Sequence, residues 1–278
     1  MARLLEVARL RASESNHHIH TNLSPMKALF LRWSAGALLA LGLLATNANA
    51  HERRFGYSYE TYGMPKGAWE YEQWATWKSY DDKDRFDFRH ELEYGITDTL
   101  TLDIYLANWR YEDVDGEGGE ADYKSSGFSL RQQLTDPNQA FLGTGLYGEV
   151  LVGDEEVVLE GKFLVQKNFG PLIAVYNLVV EAEWEGEDLG DLDESVGVWE
   201  NTFGLSYQVN PNFFVGVEGL HEVEFEEWSD AGDHVFYAGP NLSFRKGNVF
   251  ATLTGLFQVT DVDGEADAQV RIIAGITF

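Results

Sequence analysis

The chain has 278 residues, with 28 glycines, 6 prolines, 14% aromatic residues and no cysteine. The absence of cysteine excludes disulfide bonds and cysteine-based metal or redox sites, and the abundance of aromatic residues favours β-strands. The formal net charge is −26, which argues against nucleic acid as a partner because phosphate groups attract Lys and Arg.

Residues 26–50 have the three parts of a secretory signal peptide. They form a basic start around Lys27, an apolar run over residues 35–45, and an Ala-x-Ala cleavage site that ends at Ala50. The apolar run is shorter than the roughly 20 residues that a membrane-spanning helix needs. We therefore expect a cleaved leader and an exported protein.

Residues 1–25 are polar and lie upstream of that complete signal. We interpret them as a mis-assigned N-terminal extension, with translation starting at Met26. A genuine N-terminal extension is the alternative, and a start-codon mutation at Met26 separates the two.

Residues 51–67 precede the first long predicted strand. Phe55, Tyr57 and Tyr59 alternate with other residues, and residues 64–67 have the composition of a turn. This segment is predicted to be a plug inside the strand assembly that follows, or a stretch at its mouth. An additional strand is the third alternative.

Residues 68–278 alternate between apolar and polar side chains, which is the period of a β-strand. Each run is about 10–13 residues long, which exceeds the usual soluble strand and matches a tilted membrane strand. The pattern predicts twelve strands, near residues 69–80, 85–94, 100–111, 125–134, 141–153, 157–169, 171–184, 196–208, 213–225, 234–245, 249–259 and 267–278.

The connections between these strands alternate between tight turns and longer acidic loops. The longer loops are predicted at residues 112–124, 185–194, 227–233 and 261–267. Short turns on one side and long loops on the other are typical of outer-membrane proteins, with the short side periplasmic. The sequence therefore predicts an all-β fold, a transmembrane antiparallel up-and-down β-barrel of about 12 strands.

A soluble β-sandwich is the alternative fold, because it also alternates apolar and polar residues. Three features argue against it: the length of the strands, the apolar C-terminal strand, and the aromatic residues near strand ends. Trp109, Trp199 and Tyr207 are among the aromatic residues that fit interfacial girdles of a membrane barrel.

The last strand carries a specific resemblance. Val270, Ile272, Ala274, Ile276 and Phe278 alternate up to the terminal aromatic residue, and resemble the signal that bacterial barrels present to their assembly machinery. The chain is similar to small porin-like channels and uncharacterised outer-membrane barrels of Gram-negative bacteria. The resemblance implies insertion by the barrel-assembly machinery into the bacterial outer membrane, in contact with lipid and lipopolysaccharide.

On each strand, the residues that alternate with the apolar ones are predicted to line the lumen. Acidic residues outnumber basic ones among these lining positions. Confined carboxylates concentrate cations. We therefore expect passive, cation-favouring diffusion of ions or small cationic or neutral solutes. The predicted lining residues are Glu70, Glu72, Asp87, Arg89, Glu91, Glu93, Asp103, Arg131, Glu149, Glu160, Lys162, Glu181, Glu183, Glu200, Glu218, Glu222, Glu224 and Arg271.

A barrel that passes nothing is the alternative. In that case Arg89, Arg131, Lys162 and Arg271 pair across the lumen and close it. Such a protein would be structural, or would display its acidic extracellular loops for surface interactions.

Two loops share the motif Asp-Val-Asp-Gly-Glu, in which alternate carboxylates precede a glycine turn. Alternate carboxylates can converge on Ca²⁺ or Mg²⁺, although neither loop completes a calcium-hand pattern. A solvated acidic loop is the simpler interpretation, and no other cofactor is predicted. The candidate ligands are Asp113, Asp115, Glu117, Asp261, Asp263 and Glu265.

An enzyme is not predicted, because no complete catalytic constellation is visible. A barrel hydrolase needs a base, an orienting group and a nucleophile on its outer rim. His221 and Asn201 resemble the first two, and the neighbouring outward position across the next hairpin is expected to be Ala238. His234 is the candidate for a protease-type site.

Overall fold

The computed structural model describes residues 53–114, 118–226 and 228–278, and they form one antiparallel sheet. Apart from the two-residue β10, which pairs only with β9, strands that follow each other along the chain are paired, as hairpin connections require. The strands are β1 Trp69–Ser79, β2 Lys83–Gly95, β3 Leu100–Val114, β4 Gly118–Thr135, β5 Gly143–Gly153, β6 Glu156–Phe169, β7 Leu172–Gly186, β8 Leu192–Asn210, β9 Phe213–Glu226, β10 Asp230–Ala231, β11 Val235–Lys246, β12 Val249–Gln258 and β13 Ala268–Thr277.

The sheet closes on itself through its first and last strands. β1 pairs with β13 from Glu70↔Thr277 to Ser79↔Ala268, and the Phe278 amide donates to the Trp69 carbonyl over 2.8 Å. Twelve long strands form the wall, since the two-residue β10 only extends β9 at one end. The predicted twelve-stranded, antiparallel up-and-down barrel is confirmed.

The two ends of the barrel differ in the length of their connections. At the turn end, β6 joins β7 through Gly170 and β11 joins β12 through Gly247, whose φ angles of 65° and 63° suit tight turns. At the opposite, hairpin end, the strands extend further than the sequence indicated. β3 and β4 stay paired up to Val114↔Gly118, and β7 and β8 up to Gly186↔Leu192.

The predicted loops over residues 112–124 and 185–194 are therefore wrong in large part. β4 begins at Gly118 and β8 begins at Leu192. Their acidic composition signals contact with water, but a hairpin that rises out of a membrane has water on both faces and keeps its backbone pairing.

The outer face of the wall is apolar. Large side chains there remain 41% to 56% exposed, which leaves a broad hydrophobic surface facing the surroundings. Soluble monomers rarely expose so much contiguous apolar area, whereas a membrane barrel turns it toward lipid. The exposed residues include Phe128, Leu130, Leu146, Phe163, Val180, Phe203, Leu205, Val217, Leu242, Phe244, Leu253, Phe257 and Ile272.

Within the described part of the chain, no helix is long and apolar enough to cross a membrane.

A charge introduced on this outer face is expected to impair membrane folding. Leu205 is 47% exposed and pairs with Val217, which is 52% exposed. Leu205→Arg is expected to lower the folding free energy in lipid vesicles by about 2–4 kcal/mol, because a guanidinium near the bilayer midplane loses its hydration. Glu187→Arg, in the connection between β7 and β8, is the control. Equal stability of the two variants would contradict the lipid-facing assignment.

Candidate functional site: a charged lumen with an internal plug

The predicted lining residues occupy three levels of the barrel. Seven of them are enclosed in the half near the turn end, each at most 2% exposed: Glu70, Glu72, Glu91, Glu93, Asp103, Arg131 and Glu218. Ten line a cavity in the half near the hairpin end: Asp87, Arg89, Glu149, Glu160, Lys162, Glu181, Glu183, Glu200, Glu222 and Arg271. Glu224 is exposed towards the hairpin end of β9.

Residues 53–64, here called the plug, fill the half of the lumen near the turn end. Phe55 and Met64 have no exposed surface, and Arg53, Tyr57 and Tyr59 are 6% to 8% exposed. Of the segment 51–67, residues 53–64 occupy the interior and residues 65–67 are exposed. None of these described residues forms a strand of the wall.

Three alternating aromatic side chains of the plug enter separate apolar clusters of the wall. Phe55 packs with Ile173 and Val175 of β7. Tyr57 packs in a cluster that contains Leu256, and Tyr59 packs in one that contains Trp74. The alternation resembles a strand in the sequence, but residues 56–58 bend, so the three side chains reach different sides of the lumen.

The carboxylate of Glu218 holds the middle of the plug. One oxygen accepts from the Gly56 amide over 2.7 Å, and the other accepts from the Tyr57 and Ser58 amides over 2.8 Å and 2.9 Å. A charged acceptor strengthens each of these bonds, and three buried backbone donors are satisfied by one side chain.

Uncharged side chains of the wall bond to further backbone groups of the plug. Asn177 accepts from the Tyr59 amide over 2.6 Å and donates to the Tyr59 carbonyl over 3.0 Å. Gln166 accepts from the Thr61 amide over 2.9 Å, and Thr101 accepts from the Met64 amide over 2.8 Å. Residues of this kind give no charge signal in the sequence, and the lumen prediction did not include them.

The wall also approaches the plug closely at a glycine. A Cβ atom on Gly204 would lie 2.5 Å from the Phe55 ring. The absence of a side chain at this position of β8 therefore makes room for Phe55.

Beyond the plug, a cavity of about 350 Å³ opens toward the hairpin end, with Tyr57 and Tyr59 in its floor. Its basic side chains include Lys78, Arg85, Arg89, Arg110 and Arg271, on β13 and β1–β3, whereas Glu160, Glu181, Glu183, Glu200 and Glu222 lie on β6–β9. In a ring of twelve strands these two groups face each other, so the cavity has a basic side and an acidic side.

Four basic residues of this cavity were missing from the predicted lining: Lys78, Arg85, Arg110 and Lys124. Alternation could have identified Lys78 and Arg85, because each lies an even number of residues from the inward-facing residues of its strand. Arg110 follows an irregularity in the β3–β4 pairing between Tyr105 and Asn108. A bulge of this kind changes which parity faces inward, so simple alternation could not find it.

Most basic groups of the cavity have acidic partners nearby. Arg85 and Arg110 contact Asp87 at 2.8 Å and 3.0 Å, and Arg89 lies 3.4 Å from Glu149. By contrast, four carboxylates on the acidic side have no basic group within 4.0 Å among the described residues. They are those of Glu181, Glu183, Glu200 and Glu222.

The predicted cross-lumen closure involves four basic residues. Arg131 contacts Glu93 at 3.0 Å and Lys162 contacts Glu160 at 2.9 Å, both along the wall. Arg271 donates to the Gly56 carbonyl over 3.2 Å and lies over the Tyr57 ring. Arg89 lies 3.4 Å from Glu149 on β5, three strands away. The plug occupies the half of the lumen near the turn end, and these four basic residues contact carboxylates of the wall or the plug itself.

The structure describes four of the six candidate ligands in the acidic loops of the metal hypothesis. Asp113 belongs to β3, Asp261 and Asp263 are exposed, and Asp115 and Glu117 lie outside the described residues. Glu265 faces the cavity side, where Tyr237 donates to it over 3.5 Å. Burial raises the pKa of Glu265, and the Glu222 carboxylate raises it further. Metal binding by these loops stays a prediction.

The outer rim carries the two histidines considered for catalysis. Asn201 contacts the His221 Nδ1 at 3.0 Å, and the His221 Nε2 contacts the His234 Nδ1 at 2.9 Å. β11 places Phe236, and not Ala238, opposite His221. Among the described residues, neither imidazole bonds to a Ser or Thr hydroxyl.

Comparison with known proteins gives a matching family model and solved structures with a similar fold. A family model described as "Family of unknown function (DUF6662)" matches residues 47–271. No curated protein matches the sequence.

Two solved structures share the fold. The COG4313 outer membrane channel from Pseudomonas putida F1 is 12% identical, with a TM-score of 0.59, over 82% of this chain and 100% of that chain. The NanC porin is 6% identical, with a TM-score of 0.51, over 74% of this chain and 98% of that one. At these identities the likeness extends to the fold.

Removal of the Glu218 carboxylate is expected to free the plug backbone. In Glu218→Ala, amide hydrogen exchange at Gly56, Tyr57 and Ser58 is expected to be about 10- to 100-fold faster, because each amide loses a charge-assisted bond. Glu224→Ala, on the same strand but exposed, is the control. Unchanged protection of these three amides would show that the plug is held by its aromatic contacts alone.

Proposed function

This chain belongs to the DUF6662 family, whose function is unknown, and we propose that it is an outer-membrane channel for ions and small cationic or neutral solutes. In this proposal the turn end is periplasmic and the hairpin end extracellular. The plug sets the narrowest part of the path, and the acidic side of the cavity favours cations.

The water-accessible cavity with its charged lining is the observation that carries the channel proposal. A structural barrel of this size can fill its interior with apolar side chains. Here the extracellular half instead keeps about 350 Å³ of space lined by acidic and basic groups. The exposed apolar belt supports a location in a membrane, and the fold shared with an outer membrane channel supports the same interpretation.

The cation preference rests on the balance of unpaired charge and not on the number of acids. Acidic and basic residues are nearly equal in number around the cavity. Asp87 neutralises part of the basic side at 2.8 Å and 3.0 Å, whereas Glu181, Glu200 and Glu222 face the cavity without a close cationic partner among the described residues. Confined, unpaired carboxylates attract cations.

The plug argues for a controlled path. It is held by hydrogen bonds and ion pairs with polar wall residues and by three aromatic contacts, all of them non-covalent. Residues 65–68 connect it to β1. A segment that is held by non-covalent contacts can move without unfolding the wall, because the hydrogen bonds between the strands of the barrel are independent of it.

A plugged structural barrel is the second candidate, and the complete burial of Phe55 and Met64 favours it. In that case the protein would pass no solute and would contribute its acidic extracellular hairpins to surface interactions. Single-channel recording of the refolded protein separates the two candidates. Silence in the wild type and in plug-loosened variants, with the barrel shown to be folded by heat-modifiable migration, would favour the structural barrel.

Neutralisation of the acidic side is expected to reduce cation selectivity. Glu181→Gln, Glu200→Gln and Glu222→Gln together are expected to lower the ratio of cation to anion permeability by about twofold or more. The reversal potential under a KCl gradient measures this ratio. The control replaces three exposed acids near the hairpin end, Asp81, Asp82 and Glu155. An equal shift in the control would assign selectivity to the mouth and not to the cavity.

Loosening the plug is expected to raise conductance. Glu218→Ala removes the acceptor of three plug amides, and Gly204→Ala places a Cβ atom against the Phe55 ring. Both are expected to raise single-channel conductance or open probability over the wild type, whereas Glu224→Ala leaves them unchanged. Wild-type currents in both variants would contradict the role of the plug as the constriction.

A further inference from the structure

Strands β1–β3 bring four carboxylates together in the plugged half of the lumen. The register places Glu72 opposite Glu91, and Glu93 opposite Asp103. All four side chains are at most 1% exposed. Like charges directly opposite each other destabilise a sheet, and burial away from water increases the cost. The arrangement therefore requires compensating positive charge.

The described residues supply part of that charge. The Arg53 Nη1 lies 3.1 Å from Glu72 and 3.6 Å from Glu93. The Arg131 Nη2 lies 3.0 Å from Glu93 and 3.9 Å from Asp103. Glu70, which is also buried and lies opposite Glu93, adds a fifth carboxylate. The carboxylates of this group therefore outnumber the two guanidiniums that contact them among the described residues.

Glu91 provides an observation that is independent of this balance. It is 1% exposed, and its Oε2 has no hydrogen-bond partner among the described residues. The hydroxyl of Tyr105, which is opposite Glu91 in the sheet, donates to Ser129 over 3.0 Å instead. A buried carboxylate oxygen without a donor is rare in native proteins and points to a ligand.

The unpartnered oxygen has suitable neighbours. Glu91, Glu93 and Asp103 each offer an oxygen, and these three atoms lie within 4.8 Å of one another. The Asp103 Oδ1 also accepts no hydrogen bond in the described structure. Ligands that are all carboxylate oxygens favour a hard cation, and Ca²⁺ accepts irregular coordination more readily than Mg²⁺ does.

We propose that Glu91, Glu93 and Asp103 bind a Ca²⁺ ion inside the barrel wall. Glu93 then contacts both the ion and Arg53, so the ion stabilises the wall where the plug begins. The site is separate from the acidic loops of the sequence motif, and it goes beyond channel activity because it does not require the lumen to conduct.

Metal analysis of the whole refolded protein tests this site. The wild type, refolded in millimolar Ca²⁺ and passed through gel filtration, is expected to carry one Ca²⁺ per chain by emission spectroscopy. Glu91→Gln is expected to weaken binding by at least about tenfold and to lose the ion. Glu185→Gln is the matched control, because Glu156, Glu183 and Glu185 form a second carboxylate group near the hairpin end.

Thermal unfolding gives a second readout, because the wild type and Glu91→Gln are expected to differ in melting temperature in opposite directions in Ca²⁺ and in chelator. In Ca²⁺ the wild type is expected to melt above Glu91→Gln. In chelator the order is expected to reverse, because Gln removes the repulsion between Glu72 and Glu91. Heat-modifiable migration confirms that each variant is folded.

Several results would overturn the site. They are a wild type without Ca²⁺, equal Ca²⁺ content in Glu91→Gln, or a loss of Ca²⁺ confined to Glu185→Gln. A protonated carboxyl band in the infrared spectrum of the Ca²⁺-treated wild type, absent in Glu91→Gln, would show that protons neutralise the cluster instead. None of these results bears on conductance, so the channel proposal is tested separately.

Discussion

The bonds between Glu218 and three consecutive plug amides are the interaction on which the interior depends. Inside a closed barrel, a peptide segment has no strand partner and little water, so its backbone must find acceptors on the wall. Glu218 supplies them at 2.7 Å to 2.9 Å for Gly56, Tyr57 and Ser58. With the backbone satisfied there, the aromatic side chains on either side can pack against opposite parts of the wall.

The plug divides the lumen into two environments that treat charge differently. In the plugged half, carboxylates such as Glu72 and Glu93 are enclosed and contact Arg53 or Arg131. In the open half, basic groups face carboxylates across a cavity, and some carboxylates of the acidic side have no close cationic partner among the described residues. In the plugged half, the buried negative charge needs a compensating positive charge. In the open half, the charged groups face the cavity, where they can attract solutes.

The fold was largely predictable from the sequence, because the side-chain period of a strand is fixed by backbone geometry. The alternation of apolar and polar residues identified twelve strands and their faces, and the tight turns fixed the order of the hairpins. The ends of the hairpins were not predictable. Val114 and Gly118 pair in a region of acidic and glycine residues, since backbone pairing above a membrane needs no apolar side chains.

The candidate site was predictable in part. Parity placed residues such as Glu218 and Arg271 inside the barrel, but it did not show that Glu218 binds the plug, or that Arg110 turns inward after the bulge in β3. Nor did it distinguish the carboxylates that contact arginines from those that face the cavity.

The sequence by itself determined the strands, their two faces and the excess of acid, since each depends on residue order along one chain. Only the tertiary structure decided where residues 53–64 lie and which charges meet. Those contacts join residues far apart in sequence, such as Gly56 and Glu218 or Arg53 and Thr252. Their distances are set by closure of the barrel, which no local pattern records.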